Sequence, residues 1–378
     1  MKIFHIADVQ LGKQFKYLGD KARVQREQVK ETFHRVLSMA VDEKVGVIAV
    51  AGDLFDTNYP SLDLVNFIKG EFKFLKERGI RICIVPGHHD ALTVDGIYNR
   101  ERFDDEFENV FIFRNPLGEA KEYADCGLAV FAKPNISSTS TKTPFPDVSQ
   151  FKSEMKTKIL LAHGDLQIPG KSADNYHPIS ISEIENMEGI DYVALGHWHS
   201  LKDCSAYSKG FKVPVFYSGS PELVDKDQYG SGNILIVDFE QSSPKITVVP
   251  VGKRKSLRIS LDVSSFLSAG DIKEKIASAG DENTILQVEL AGINVNNIFL
   301  NTNIMEEELS NAVFHIDIGD KTHLALNDLP EYPDKLVQGQ FVKIMRDKIS
   351  LIKDAEDKKI HEDALQFGLA ELDGTEVI

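Results

Sequence analysis

Short apolar runs that end in carboxylates or imidazoles recur along the first two thirds of this chain, and that recurrence constrains its fold more than any other feature. Five clusters carry it, in the order Asp8-Val9-Gln10, Gly52-Asp53-Leu54-Phe55-Asp56, Gly87-His88-His89-Asp90, His163-Gly164 and Gly196-His197-Trp198-His199. Four of the five directly follow a run that reads as a strand, the position where α/β proteins assemble their sites. Carboxylates and imidazoles are the usual protein ligands of catalytic first-row divalent metals, so the set points to a two-metal centre.

Between the clusters, residues 1 to about 250 alternate short apolar runs with longer amphipathic ones, the pattern of strands and crossover helices. Strands are predicted at Ile3–Ala7, Val45–Ala51, Ile80–Val85, Val110–Phe113, Leu128–Ala132, Ile159–Ala162, Tyr192–Leu195, Val213–Tyr217, Ile234–Phe239 and Ile246–Val249. Apolar residues on both faces of Val45–Ala51 mark a central strand covered on either side. Helices are predicted over Arg23–Glu43 and over Ser61–Arg78, the second opened by a serine cap. Ser137–Pro146 and Gly170–Pro178 read as long loops, either holding substrate or merely connecting.

Around Gly252-Lys253-Arg254-Lys255 the pattern changes to strand, helix, strand, helix, strand, a small α+β unit of its own. The expected domains are therefore 1–252, 253–330 and 331–378. The basic cluster is either a solvated linker or a contact to a DNA backbone. Beyond Pro330 and Pro333, Leu336, Phe341, Ile344, Met345 and Ile352 draw an apolar stripe along Lys335–Ala355, followed by a short amphipathic piece at Ala364–Leu372. The stripe either docks on a partner helix or packs back on its own chain.

A chain of 378 residues exceeds one typical domain, and no apolar run approaches bilayer length, so no membrane partner is expected. The N-terminal stretch is too short for a signal-peptide core, which predicts a cytoplasmic protein. Cys83, Cys126 and Cys204 are odd in number and widely spaced, and read as reduced structural thiols. The net charge of −15 opposes a long nucleic-acid footprint unless a partner chain or a homodimer supplies basic surface. Two bound cations would reverse the sign locally.

Within the clusters, Asp8 supplies a hard anionic oxygen and Gln10 only an amide. Asp53, after a glycine that allows a tight exit, suits a carboxylate bridging two cations. Asp56 either supports the site or only shapes a turn. Of His88 and His89, one imidazole can bind metal while the other gives a proton or hydrogen bond to the reacting phosphate, with Asp90 orienting it. His163 is uninformative alone, whereas His197 and His199 can turn from one loop towards two neighbouring cations. Trp198 reads as packing, and His177, His315, His323 and His361 as surface or structural residues.

In their order the motifs resemble the calcineurin-like metallophosphoesterases, whose pattern is DxH, GDxxD, GNH(D/E), a lone His and GHxH. With Leu11-Gly12 and Tyr217-Ser218-Gly219-Ser220-Pro221 added, the chain looks like the SbcD-type DNA repair exonuclease subunits that work with an SbcC-type ATPase. The resemblance covers residues 1 to about 250. It implies a four-layer α-β-β-α sandwich with a small α+β capping domain and a helical C-terminal tail. It further implies that Asp8, Asp53 and His199 hold one metal with Gln10 at the usual histidine position, and that Asp53, His163 and His197 hold the other with His88 at the usual asparagine position. His89 falls where the family keeps its catalytic histidine. The cofactors implied are two divalent ions, manganese above all.

The expected function is a DNA nuclease that hydrolyses phosphodiesters with a hydroxide held between two cations, as the nuclease subunit of an SbcCD-like repair complex whose SMC-type ATPase docks on the C-terminal tail. The same chemistry serves a phosphodiesterase or phosphatase for a small nucleotide or phosphoprotein, which the acidic charge favours. A weakly active adaptor for an ATPase partner is the third reading, and Gln10 is its support.

Overall fold

The computed structural model describes residues 1–170, 176–241, 243–294, 298, 300–324, 332–333 and 335–372. The middle of the loop expected over Gly170–Pro178 and Pro330 at the expected domain boundary lie outside these residues, as does the side chain of His323. The chain divides into two compact units, Met1–Ser256 and Leu257–Ile378, with the tail helices counted in the second.

The first unit is built on two six-stranded mixed sheets. In spatial order, one contains Lys245–Pro250, Asn233–Asp238, Lys2–Ile6, Val47–Ala51, Arg81–Val85 and Val110–Ile112. The other contains Lys202–Asp203, Val215–Tyr217, Tyr192–Gly196, Thr157–His163, Leu128–Ala132 and Glu119–Tyr123. The strands that end in the five clusters run parallel to one another within each sheet, with Ile3 opposite Val47, Val47 opposite Arg81, and Tyr192 opposite Ile159.

Strand alternation sorts the side chains into layers. Ile3, Ala7, Val47, Ala49, Ala51, Cys83 and Val85 face Leu128, Val130, Ile159, Leu161 and Ala194 across the space between the sheets, and all are buried. The opposite face of the first sheet, Phe4, Ile6, Ile48, Val50, Ile82 and Ile84, is equally buried. Its crossovers are the helices Ala22–Asp42 and Leu62–Lys76, which bury Val29, Phe33, Val36 and Leu37, and Leu64, Val65, Ile68 and Phe72. Ser61 caps the second helix by accepting from Leu64 N–H, as its sequence predicts. The outer face of the second sheet packs Phe131, Leu160, Val193 and Tyr217 under the helix Ile181–Glu185 and loop residues such as Phe145. The first unit is thus a layered α/β sandwich with a thin fourth layer, as the resemblance implies.

Val47–Ala51 is a central strand, buried throughout. Glu119–Tyr123 escapes the sequence pattern because an edge strand reading Glu-Ala-Lys-Glu-Tyr has no apolar run. The three cysteines are free, Cys83 and Cys204 buried. Arg254 is not part of a solvated linker: it is buried, its backbone N–H donates to Glu222 and its Nε donates to Gln25.

The second unit pairs Thr284–Ala291 in parallel with His315–Asp320, beside Lys255–Asp262, over the helices Ala269–Ala277 and Thr302–Leu309. Val337–Leu351 and Ala355–Leu372 then form a helical pair around Val342, Ile349, Leu365 and Leu369, joined by Phe341 and Met345 from the predicted stripe. No helix among the described residues is long and apolar enough to cross a membrane.

Candidate metal centre

All five clusters emerge at the carboxyl ends of the parallel strands, and the loops after the first two are laced together. Asp8 N–H donates to Gly52 O (3.1 Å), Gln10 N–H to Asp53 O (3.0 Å) and Leu11 N–H to Leu54 O (3.0 Å). This lacing holds Asp8, Gln10 and Asp53 at φ of 53°, 48° and 52°, and His197 across the sheets has φ of 114°. Left-handed backbone at residues other than glycine costs on the order of 1–3 kcal/mol each and persists where surrounding contacts enforce it. Half of the eight such residues in the described chain belong to the predicted site.

The cluster itself spans the two sheets. His88 Nδ1 lies 2.8 Å from His163 Nε2 and 3.0 Å from Asp53 Oδ2, and His163 Nε2 lies 3.3 Å from that same oxygen. His197 joins His88 and His163, and Asp8 joins Asp53 and His163, with ligand atoms within 4.8 Å in each group. Asp8 accepts from His197 N–H with both oxygens, at 3.0 and 3.1 Å, tying the first sheet's loop to the second's.

Hydrogen bonds settle which nitrogen of each ring faces inward. His163 Nδ1–H donates to the Ala51 carbonyl (2.9 Å), which turns Nε2 towards the cluster. His89 Nδ1–H likewise donates to the Asp56 carbonyl (3.0 Å), and its backbone N–H donates to Asp53 Oδ1 (2.9 Å). The His89 ring stands against His88, centroids 4.3 Å apart, and offers a nitrogen within 4.8 Å of ligand atoms of Asp53 and His88.

Burial of these charges has electrostatic consequences. Burial pushes the Asp8 carboxyl up to about 7, with His163 opposing and the charge of Asp53 adding. Burial works against ionised Asp53 too, but His163 and His88 outweigh it and hold the carboxyl well below the usual range. Burial also opposes protonation of His163, yet Asp53 and Asp8 lift it to about 9. Burial takes His197 down to about 2 and His199 down to about 3, so both are neutral at pH 7, the state in which imidazole binds metal.

The donor set fits a metal centre. Asp53 Oδ2 and His197 Nδ1 are buried without a hydrogen-bond partner, an expensive condition for a carboxylate and an imidazole unless something else satisfies them. Ligand atoms each about 2.1 Å from one cation sit about 3.0 Å apart at right angles, which is the spacing of the His88, His163 and Asp53 atoms. Asp53, His88, His163 and His197 could hold one cation, and Asp8, Asp53 and His199, with Gln10, a neighbouring one.

Several predicted residues take other places. His199 Nε2 lies 3.9 Å from Asp8 Oδ1 and receives the Gln10 amide N–H at 2.9 Å. Asp90 does not orient His89, a correction to the role implied by their adjacency. Its buried carboxylate instead accepts from Gly87 N–H (2.7 Å), Phe55 N–H (3.1 Å) and Tyr98 O–H (2.7 Å), which braces the loop from beneath, while the backbone of Asp56 orients His89. His177 is buried, donating from Nε2 to Ser137 O.

Other contributors were not singled out as site residues by the sequence. Tyr217 O–H donates to Gly164 O (2.8 Å), accepts from Leu166 N–H (2.9 Å) and stacks on Trp198 at 4.4 Å, bracing the His163 loop. Ser220 N–H donates to His199 O (2.9 Å), so the Tyr-Ser-Gly-Ser-Pro segment also secures the last histidine loop. Lys13 donates to Gln10 Oε1 (3.2 Å), and the Gln228 amide meets His199 Nδ1. An open cavity of about 440 Å³ adjoins the cluster, lined by residues 197–202 with Tyr207 and Gln228.

An α/β sandwich with carboxylates and imidazoles converging at the strand ends of both sheets defines a metal-dependent hydrolase. Residues 1–201 match the Calcineurin-like phosphoesterase family, and the chain belongs to it. Members of that family hydrolyse phosphoric esters at a dimetal centre. The DNA double-strand break repair protein Mre11 of Sulfurisphaera tokodaii is 27% identical over 305 residues, covering 77% of this chain and 73% of that protein. Its counterpart of the same name from Sulfolobus acidocaldarius is 25% identical over 304 residues, covering 77% and 75%. The SbcD component of nuclease SbcCD from Staphylococcus epidermidis is 28% identical over 228 residues, covering 53% of this chain and 57% of that protein.

Proposed function

We propose that this protein is a divalent-metal-dependent DNA nuclease of the cytoplasm, the hydrolytic subunit of an SbcCD-like repair complex. The observation that carries the reading is the convergence of Asp8, Asp53, His88, His89, His163 and His197 around buried acceptor atoms, with His199 Nε2 3.9 Å from Asp8 Oδ1 beside them. The named relatives supply the substrate class, since Mre11 and the SbcCD component are DNA-repair and nuclease proteins by name and align over 77% and 53% of the chain.

Two divalent cations bound here, manganese by preference, supply an acidified water and neutralise charge on the phosphate. The chain's own residues do the rest. Asp53, fixed by His89 N–H, keeps its carboxylate ionised between the two halves of the centre. His89, with Nδ1 committed to Asp56 O, points the other nitrogen away from that anchor, free to hold or give a proton to the departing oxygen. The cavity beside His197 and His199 accommodates one flank of the substrate.

Manganese-dependent cleavage of single- and double-stranded DNA, measured beside a generic phosphodiester, tests the reading. Asp53→Ala and His89→Ala are expected to abolish cleavage of both; DNA left intact while the generic substrate is hydrolysed would favour a small-nucleotide phosphodiesterase.

For the partner, Val337, Ile344 and Leu351 form an outward row one heptad apart, 67%, 61% and 81% exposed, although Phe341 and Met345 of the same helix pack inward. A row at that spacing suits docking on the coiled coil of an SbcC-like SMC-type ATPase. Ile344→Asp is expected to abolish co-purification with such an ATPase while DNA cleavage by the isolated chain persists; an unaffected complex rejects docking there.

A further inference from the structure

We infer that the two halves of this centre hold their cations unequally: the half made by Asp53, His88, His163 and His197 retains one divalent ion tightly, and the half made by Asp8, Gln10 and His199 takes a second at least tenfold more weakly. The inference rests on the metal-dependent reading above and concerns what this chain does differently within it.

The first half is nitrogen-rich and compact. His88 contributes an imidazole whose Nδ1 is 2.8 Å from His163 Nε2 and 3.0 Å from Asp53 Oδ2, and His197 completes the group. His197 Nδ1 is buried with no hydrogen-bond partner, and Asp53 Oδ2 faces only His88 and His163, themselves members of this half. A cation entering here replaces the His88–His163 hydrogen bond with bonds to the same two rings.

The second half is both looser and occupied. His199 Nε2 is 3.9 Å from Asp8 Oδ1, and among the described residues no trio of acidic or imidazole ligand atoms within 4.8 Å includes His199. The Gln10 amide is locked in one orientation. Lys13 has only donors, so Gln10 must turn its oxygen to that ammonium (3.2 Å) and its NH₂ to His199 Nε2 (2.9 Å). Gln10 thus presents a donor, not a ligand oxygen, towards His199. Gln228 meets the other ring nitrogen, so both nitrogens of His199 are already engaged by side-chain amides. Lys13 is itself retained near Asp56, Nζ to Oδ1 3.9 Å. To bind in this half, a cation must rotate the Gln10 amide and approach a fixed positive charge.

The test is titration of the full chain with Mn²⁺ alone, reading tightly retained metal by atomic emission and pairing by low-temperature electron paramagnetic resonance. The expected result is one retained Mn²⁺ with the hyperfine signal of an isolated ion, and an exchange-coupled signal only at large excess. His88→Ala should weaken the retained ion at least tenfold, while His199→Ala should leave it unchanged. Gln10→His should give two retained ions and the coupled signal, and Lys13→Met should tighten the second ion by roughly tenfold, a span usual for groups that position metal ligands. Two ions of equal affinity in the unmodified chain overturn the inference, as does a second constant unmoved by both Gln10→His and Lys13→Met. Absence of any Mn²⁺ binding overturns the metal-dependent reading as well, which separates the two failures.

Discussion

Substituting Gly87 tests how tightly the fold positions Asp53. A Cβ at residue 87 would lie 2.5 Å from Asp53 N and 2.8 Å from Asp53 Cγ, and closer still to Oδ1. Ordinary van der Waals contact begins near 3.4 Å, so the backbone N of Asp53 must retreat by about 0.9 Å and its carboxylate oxygen by more. Displacing a reacting geometry by about 1 Å costs on the order of 10²-fold in rate, or about 2.7 kcal/mol of transition-state stabilisation. Overpacking of this kind costs about 1–3 kcal/mol of stability, a Tm decrease of several degrees for a unit of this size. Gly87→Ala is therefore expected to remain folded at 25 °C yet to bind Mn²⁺ more weakly in calorimetry and to hydrolyse a phosphodiester roughly a hundredfold more slowly. A folded Gly87→Ala with undiminished Mn²⁺ affinity and rate would refute the claim that this glycine sets the place of Asp53.

Three further outcomes follow from other parts of the chain. Asp90→Ala strands two backbone N–H groups and the Tyr98 hydroxyl in a buried site, and at about 1–3 kcal/mol for each unmet group it should destabilise the protein by at least about 3 kcal/mol in urea unfolding. Buried His5, with Nδ1 accepting from Tyr192 O–H and Nε2–H donating to Leu195 O, is brought down by burial to about 3. The unfolded chain binds that proton near pH 6.5, so this stabilising contribution is complete above about pH 6.5 and declines as pH falls towards 3, by about 2 kcal/mol at pH 5. Urea unfolding at pH 7.5 and 5 should show that difference shrinking by about 2 kcal/mol in His5→Gln. Gly70 sits on the exposed side of a helix with open space around it, and Gly70→Ala should stabilise the protein by about 0.5–1 kcal/mol, read as a higher denaturant midpoint.

The strand positions, the serine cap and the five clusters were legible because each is local: apolar period, capping chemistry and strand-end placement need only neighbours a few residues away. The family followed from the order of those clusters. Where the pattern was silent, the reason is physical. Glu119–Tyr123 lies at a sheet edge and needs no apolar run, and Arg254 is buried because Glu222 and Gln25, far away in the chain, receive it.

Sequence alone determined which side chains arrive at the strand ends, since alternation and chain order leave little else for Asp8, Asp53, His163 and His197 to do. Only tertiary structure decided what each one touches. Asp90 braces Gly87 and Phe55, Lys13 claims the oxygen of Gln10, and Ala51 fixes the tautomer of His163. Those pairings depend on left-handed loop residues and on the register of one sheet against the other, quantities set by the packing of the whole core and by no spacing within a motif.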